Sequence, residues 1–348
     1  MRIVTILQQH QSKTRSAPER CKSFTFDINQ QAESLVQWEQ CYNQLSNGSF
    51  NGYLDELKLN GIHFFEEFTS QSLQQHCSIQ NKNCWLGFSL QHQRPQINNS
   101  KMVAGQIMLR PSEVEFELIT PPDFHIYGLV LNEESLQNEM TGADAEHWLN
   151  VKNVAFSRPN HYVSYELAKL INLLLEANNG TSVNNKLFDN NASNRLKTLI
   201  PLINSKVADL LTLLDYDAKQ ESITQQTKKR VIADINHYIK QTNCYPLTTT
   251  ELCQISNVSR RTLQYSFKEA FSMSPTQYIR DCRLNEIRRV LLNIENNDTI
   301  TDLAINFGFF HAGTFNFYYK QLFGETPTQT KQRAGNYHNT NINSVTLR

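Results

Sequence analysis

Residues 261–275, RTLQYSFKEAFSMSP, return 52 positions later in altered form as residues 313–327, GTFNFYYKQLFGETP. The apolar beat, a Thr, a Lys and a closing Pro fall at the same places in both copies. A supersecondary unit that recurs either stacks on its copy to bury a core or offers two equal surfaces to something that itself repeats. The second alternative points to a helical polymer. At ~100° per residue, Leu263, Phe267, Ala270 and Phe271 fall on one side of a helix, the side expected to be core. The opposite arc carries Arg261, Gln264, Tyr265 and Lys268, with Arg260 in the exposed first turn. Arg pairs bidentately with guanine, Gln with adenine, and Lys or Tyr holds a phosphate, so the arc has the chemistry of a major-groove reader. In the second copy Phe315, Tyr319, Leu322 and Phe323 turn inward, and Gly313, Asn316, Phe317 and Lys320 outward. His311 and Thr314 flank that arc and read equally as turn and capping residues or as base contacts.

Each copy is preceded by a helix-start signal. In LTTTELCQI, Thr248 stands as N-cap with Glu251 three residues on, and Leu247 and Leu252 are placed for a hydrophobic staple. That helix stops at Asn257, a residue tolerant of the left-handed cap, and Ser259 caps the next. Two short helices joined by a tight turn, plugged by Val258, make a helix-turn-helix. The second unit starts at Thr299 with Asp302 three later, ends its first helix at Gly308 and has a turn one residue longer. Between the units, SPTQYIRDCRLNEIRRVLLN predicts a helix with Tyr278, Ile279, Cys282, Ile287 and Leu291 inward and Arg280, Arg283, Arg288 and Arg289 projecting. Roughly eighteen helical residues span ~27 Å, enough to set two recognition helices about one DNA turn, ~34 Å, apart.

These residues resemble the C-terminal domain of AraC/XylS-type transcriptional regulators. The family's signature is met in DLAINFGFFHAGTFNFYYKQLFGETP at Ala304, Gly308, Phe309, Phe315, Tyr319, Lys320, Phe323, Gly324 and Pro327, and again in VSRRTLQYSFKEAF and CRLNEIRRVLL. Two positions depart from it. Ser272 stands where a turn Gly is usual, and Phe317 replaces a basic residue, so the first reading helix is expected to dominate. The resemblance implies promoter DNA and RNA polymerase as partners and a regulator, more an activator than a repressor.

The charge distribution agrees. The 33 Lys and Arg of the 348 residues balance 33 Asp and Glu, but residues 228–334 hold 14 basic against 9 acidic side chains. A basic excess is the electrostatic footprint of phosphate contact, although a charged solvated face produces the same imbalance. The first half reads as strands: Leu57 and Leu59, then Asn60-Gly61 as a tight turn, then Ile62 and Phe64. Val114, Phe116 and Leu118 alternate with Glu113, Glu115 and Glu117; Pro121-Pro122-Asp123 breaks the run before Phe124, Ile126 and Val130. Short strands punctuated by turns predict a small β-sandwich or barrel. Helical periodicity begins near Val163, with Leu167, Leu170 and Leu174, and a second apolar helix follows an Asn-rich loop. Those helices either cover the sandwich or pair with a second copy of the chain.

The fold class expected is therefore α+β: a sandwich-like sensor and dimerisation domain with helices over residues 20–215, a linker over 216–227, an all-α domain with two helix-turn-helix units over 228–334, and a tail over 335–348. The stretches around Trp38 and Phe116 resemble the sensor halves of ethanolamine-utilisation operon regulators, which implies an ethanolamine-like effector. Trp38, Phe64, Trp85 and Phe88 are candidates for a pocket or for ordinary core. Seven scattered cysteines without C-x-x-C spacing predict buried free thiols. The chain has no secretory start and no run of ~18 apolar residues, so a cytoplasmic protein with no membrane contact is expected. No H-x-H pairing, phosphate-cradling glycine loop or G-x-S-x-G is present, so no catalytic residue, metal ligand or cofactor is assigned. Two other readings stay open: a protein-interaction adaptor that no longer reads DNA, and a cupin-like metal enzyme.

Overall fold

The computed structural model describes residues 19–35, 38–59, 62–80, 82–132, 134, 157–177, 190–213, 223–242, 248–293 and 296–334. Among the described residues eleven strands form two antiparallel sheets. The larger contains β1 (Glu19–Thr25), β3 (Gly52–Leu59), β4 (Ile62–Thr69), β11 (Phe124–Asn132), β6 (Asn83–Phe88) and β9 (Met108–Arg110), in that order. The smaller runs β2 (Trp38–Gln44), β5 (Leu73–Ile79), β10 (Phe116–Thr120), β7 (Gln96–Ile97) and β8 (Ser100–Lys101). α1 (Ile28–Glu33) bridges the sheets at one end, capped by Asp27.

Register explains the layering. Leu57, Phe64, Leu129, Leu86 and Leu109 form one rung across five strands of the larger sheet. Strand side chains alternate between faces, so this rung and its neighbours make one apolar surface. α2 (His161–Ala177) and α3 (Asn190–Thr212) cover it with Val163, Leu167, Ile171, Val207 and Leu211. Each such side chain contributes ~1.5–3 kcal/mol when taken from water. The opposite face meets the smaller sheet in an inner core of Leu54, Phe65, Trp85, Val130, Ile79, Phe116 and Leu118. The four aromatic candidates therefore part company. Phe64 and Phe88 pack under the helices, whereas Trp38 and Trp85 meet edge to face at 5.4 Å inside the sandwich.

Two expectations need correction. β10 begins at Phe116, and Val114 is 40% exposed because Glu113 turns into the left-handed region at φ 63° and its N–H is drawn to Ile79 O at 2.8 Å. None of the six described cysteines is in a disulfide, and Cys77, Cys84 and Cys282 are buried, but Cys21 lies exposed on the edge strand β1, while Cys244 lies outside the described residues. The turn conformation of Asn60-Gly61, the staple's Leu247, residues 216–222 of the linker and the tail lie outside the described residues. The strands flanking that turn do pair as expected, Leu59 opposite Ile62.

The C-terminal half is helical: α4 (Ile223–Thr242), α5 (Thr249–Ser256), α6 (Arg260–Phe271), α7 (Pro275–Leu292), α8 (Ile300–Asn306) and α9 (Ala312–Phe323), with further helical residues over 327–334. α4 starts inside the stretch read as linker. Val231, Ile235, Leu252, Leu263, Phe267 and Tyr278 form the first helical core, and Leu45 and Ile119 of the sandwich belong to the same cluster. A second core joins Leu284, Ile287 and Leu291 of α7 to Leu303, Phe315, Tyr319 and Phe323.

A candidate nucleic-acid interface

The second helix of the first unit, α6, is placed by local chemistry. Thr248 and Glu251 close a capping box at the start of α5, Glu251 N donating to Thr248 Oγ1 at 3.2 Å and Thr248 N to Glu251 Oε2 at 2.6 Å. Asn257 then takes the left-handed conformation at φ 48°, and Ser259 Oγ accepts from Thr262 N at 3.2 Å to open α6. The turn is tight because the Val258 N–H reaches Cys253 O at 3.1 Å. Ser272 ends α6 at φ 59°, so the serine that replaces the usual glycine does adopt the strained left-handed cap. Buried Leu263, Phe267, Ala270 and Phe271 fix the helix rotation and leave Arg260, Arg261, Gln264, Tyr265 and Lys268 exposed on one arc.

The second unit repeats the arrangement. Thr299 Oγ1 accepts from Asp302 N at 3.1 Å to cap α8, Gly308 carries the turn at φ 79°, and α9 buries Phe315, Tyr319, Leu322 and Phe323. His311 occupies the N-cap position without a side-chain cap bond. It lies exposed beside Thr314, Asn316, Phe317 and Lys320, which share the outer arc. Phe310 and Phe317 are 70% and 63% exposed, so this arc presents aromatic surface where the first presents guanidinium and amide. The tool for meeting a thymine methyl is apolar contact.

Among the described residues the side chains of Arg260, Arg261, Gln264 and Lys268 make no hydrogen bond or ion pair, which keeps them available to an outside partner. The linking-helix arginines behave otherwise, a correction to their expected projection. Arg288 is buried and ion-paired with Asp27 at 2.6 Å and Glu325 at 2.8 Å. Arg289 donates to Tyr42 O at 3.1 Å and Asn43 Oδ1 at 3.0 Å, Arg283 is buried, and Arg280 lies 4.0 Å over the Tyr318 ring and pairs with Asp281. The physical reason is that Asp27, Tyr42 and Asn43 of the N-terminal half cover the face of α7 that carries Arg288 and Arg289, while Arg280 rests on Tyr318 of α9. The basic excess therefore overstates the charge open to phosphate. Lys228 was not singled out by sequence; its ammonium sits 4.5 Å from the Tyr265 ring while pairing with Glu269, at the edge of the first arc.

The sandwich grips both units. Gln44 N donates to Asn285 Oδ1 at 2.9 Å, Asn285 Nδ2 returns to Gln44 O at 3.0 Å, and Gln44 Nε2 reaches Leu322 O at 2.5 Å. Gly48 N donates to the same Leu322 carbonyl at 3.0 Å. Gly324, at φ +73°, lets this loop close in, since a Cβ there would lie 2.2 Å from Ser49 Oγ and 2.8 Å from Ser49 N. Tyr278 OH donates to Asn236 Oδ1 at 2.8 Å, and Gln74 Nε2 to Tyr278 OH at 2.9 Å. Burial alone would raise the Asp27 carboxyl, but Arg288 and Arg333 outweigh it and hold it below its usual value.

Comparison with known proteins agrees with this geometry. Residues 252–333 match the model of a helix-turn-helix domain family. XylDLEGF operon transcriptional activator 3 of Pseudomonas putida is 30% identical over 127 residues, 36% of this chain and 37% of that protein. HTH-type transcriptional regulator ArgR of Pseudomonas aeruginosa is 36% identical over 91 residues, 26% of this chain and 27% of that protein. The alignments thus span about a third of these relatives, which are named as regulators and not as enzymes. The crystal structure of the AraC-like transcriptional activator CuxR aligns over 82% of this chain and 100% of its own at 14% identity, with a TM-score of 0.39. No helix among the described residues is long and apolar enough to cross a membrane. These matches do not show the similarity to ethanolamine-utilisation regulators, and residues 252–333 are a helix-turn-helix domain.

Proposed function

We propose that the chain is a sequence-specific DNA-binding transcription regulator, an activator, that meets promoter DNA through residues 228–334. Residues 20–215 serve as sensor and dimerisation domain for a small-molecule effector, residues 216–227 connect the two, and the protein works in the cytoplasm with RNA polymerase. The observation that carries the reading is the pair of exposed arcs, each on the second helix of a helix-turn-helix, at matching positions of a doubled unit. Arg261 and Gln264 read base edges, and Lys268 and Lys320 hold phosphates. Arg260, Tyr265, His311, Thr314, Asn316 and Phe317 complete the two surfaces. An ethanolamine-like effector follows only from the resemblance of the N-terminal half and is the first candidate ligand for the sensor.

Binding to a library of sites, followed across salt concentrations, tests the assignment. Arg261→Ala is expected to lose about 1–3 kcal/mol and relax specificity at one base pair, whereas Lys268→Ala weakens all sequences alike and lowers the salt slope by about one. Equal behaviour of the two variants across the library refutes the division of roles. A flat salt response without sequence preference favours the protein-interaction adaptor.

A further inference from the structure

The outer arcs of α6 and α9 differ at positions that the constant offset makes equivalent. Arg261 of α6 corresponds to Gly313 of α9, Gln264 to Asn316, Tyr265 to Phe317 and Lys268 to Lys320. The second arc keeps an amide and an ammonium but exchanges the guanidinium for bare backbone and the phenol for a phenyl ring. The longer turn adds a second ring. Val258 N reaching Cys253 O is matched by Phe309 N reaching Ala304 O at 2.8 Å, each just after a left-handed residue, Asn257 or Gly308. Phe310 is therefore the added residue, placed directly before the N-cap His311, and both it and Phe317 are largely exposed.

The surroundings of these rings fit one kind of occupant. A glycine inside a helix weakens it relative to alanine, yet a Cβ built at Gly313 would meet no atom within 4 Å. No contact within the chain excludes a side chain there, so the open space faces outward. Residues four apart on a helix are neighbours, which puts this bare backbone beside Phe317. Phe317 meets Tyr318 edge to face at 5.4 Å, and Tyr318 lies 4.0 Å from the Arg280 guanidinium that Asp281 holds, so the exposed ring is braced from one side. Residues 303–324 contain no Asp or Glu, and Lys320 is exposed on the same arc. An aromatic surface without carboxylates and next to an ammonium lies against phosphates without repulsion. The Asn316 amide is exposed and makes no hydrogen bond among the described residues. Asn to adenine and Phe to the thymine methyl are the major-groove contacts for the two halves of one A·T pair. Docking of a protein partner would explain exposed rings, but not their place on the arc that corresponds, position by position, to the guanidinium and amide arc of α6.

We propose that the second helix-turn-helix selects A·T pairs by their thymine methyl groups, with Phe317 and Phe310 packed against the methyls and Asn316 on the adenine edge. Gly313 lets the α9 backbone come nearer to the base edges than Arg261 allows for α6. The inference rests on the regulator reading and gives the two units different tasks: hydrogen-bonded base recognition through Arg261 and Gln264 in the first, methyl recognition in the second.

Replacing thymine by deoxyuridine removes the methyl and leaves every hydrogen-bonding group and phosphate in place, so it isolates the contact. A site selected by the full chain from a random duplex library is resynthesised with each thymine replaced singly, and mobility-shift titrations compare wild type, Phe317→Ala and Phe310→Ala. Burial of one methyl corresponds to about a fourfold change in affinity. At least one thymine, about one helical turn from the base pair relaxed by Arg261→Ala, should show that loss with wild type. With Phe317→Ala the same replacement should cost less than about 1.5-fold, and neither change should alter the salt slope. The deoxyuridine scan of the wild type needs no variant, so the test stands whatever the stability of the two substitutions. No thymine sensitive to replacement, or a sensitivity that persists in both Phe317→Ala and Phe310→Ala, overturns the inference and leaves the regulator reading in place. Variants that bind every duplex as wild type does assign the rings to a protein partner and overturn it as well. A selection that yields no bound duplex at any salt concentration refutes the regulator reading itself, and the inference falls with it.

Discussion

Asp27→Asn breaks the charged clamp between the sandwich and the helical half. Asp27 Oδ1 caps α1 by accepting from Asn29 N at 2.8 Å, and Asn retains that ability, but its NH2 then stands where Oδ2 accepts from Arg288 Nε, Arg288 Nη2 and Arg333 Nη2, so the substitution removes the charge together with those hydrogen bonds. What it removes faces Arg288 Nη2 at 2.6 Å and Arg333 Nη2 at 2.9 Å, with the side chains of Asp27 and Arg288 only 1% and 5% exposed. Stripping one partner from a buried pair costs about 3–5 kcal/mol. Glu325 still meets both guanidinium groups at 2.8 Å, which places the expected loss at the low end, about 3 kcal/mol. Urea unfolding of the full chain at pH 7 for wild type, Asp27→Asn, Arg288→Met and the double variant measures it. A coupling energy of at least about 1 kcal/mol between the two sites is expected. The carboxyl is held below its usual 3.8, so its contribution is present above that pH and is lost as pH falls through the lower folded value, where wild type and Asp27→Asn converge. A variant within about 0.5 kcal/mol of wild type at pH 7, or strictly additive single substitutions, refutes the clamp.

Ser272→Gly relieves the left-handed cap at φ 59° and should stabilise the chain by up to about 1 kcal/mol in the same unfolding assay; a loss of stability contradicts the strain assigned there. Burial pushes the Glu67 carboxyl up to about 7 from 4.5, against the partly offsetting hydrogen bonds of Gln31 and Tyr42. Its neutral form is the stabilising one, fully so below pH 4.5, and that stability is lost as pH rises through about 7. His76, held at about 4 against 6.5, has the opposite sign in nearly the same window, because protonating it as pH falls destabilises the fold. The readout is therefore the difference between wild type and Glu67→Gln, which should grow by about 3 kcal/mol in favour of the variant from pH 4.5 to 7. A difference that does not change with pH means that Glu67 is not ionising there.

The helical half was largely legible in the sequence because its signals are local. Thr248 with Glu251, Asn257, Ser259 and Thr299 with Asp302 each fix a helix end through atoms three or four residues apart, and the structure places each as read. The inward and outward sets on α6 and α9 follow from period alone. What the sequence did not reveal depends on partners distant in the chain. Arg288 and Arg289 resemble solvent-facing bases until Asp27, Tyr42 and Asn43, more than 240 positions away, are brought against them. Val114 continues an alternating run by composition, yet the turn at Glu113 ends the ladder before it.

The common core of Leu45 and Ile119 with Phe267 and Tyr278 limits how such a molecule changes over evolutionary time. A recombination event that grafted a different N-terminal domain onto these helices would strip them of two of their own interior residues. Freely exchanged modules meet across solvated seams, whereas here the donor domain must arrive with side chains already shaped to complete a neighbour's interior. Innovation in the front half is therefore expected to proceed by substitution around retained docking residues, and wholesale replacement to require simultaneous repair of the first helix-turn-helix unit.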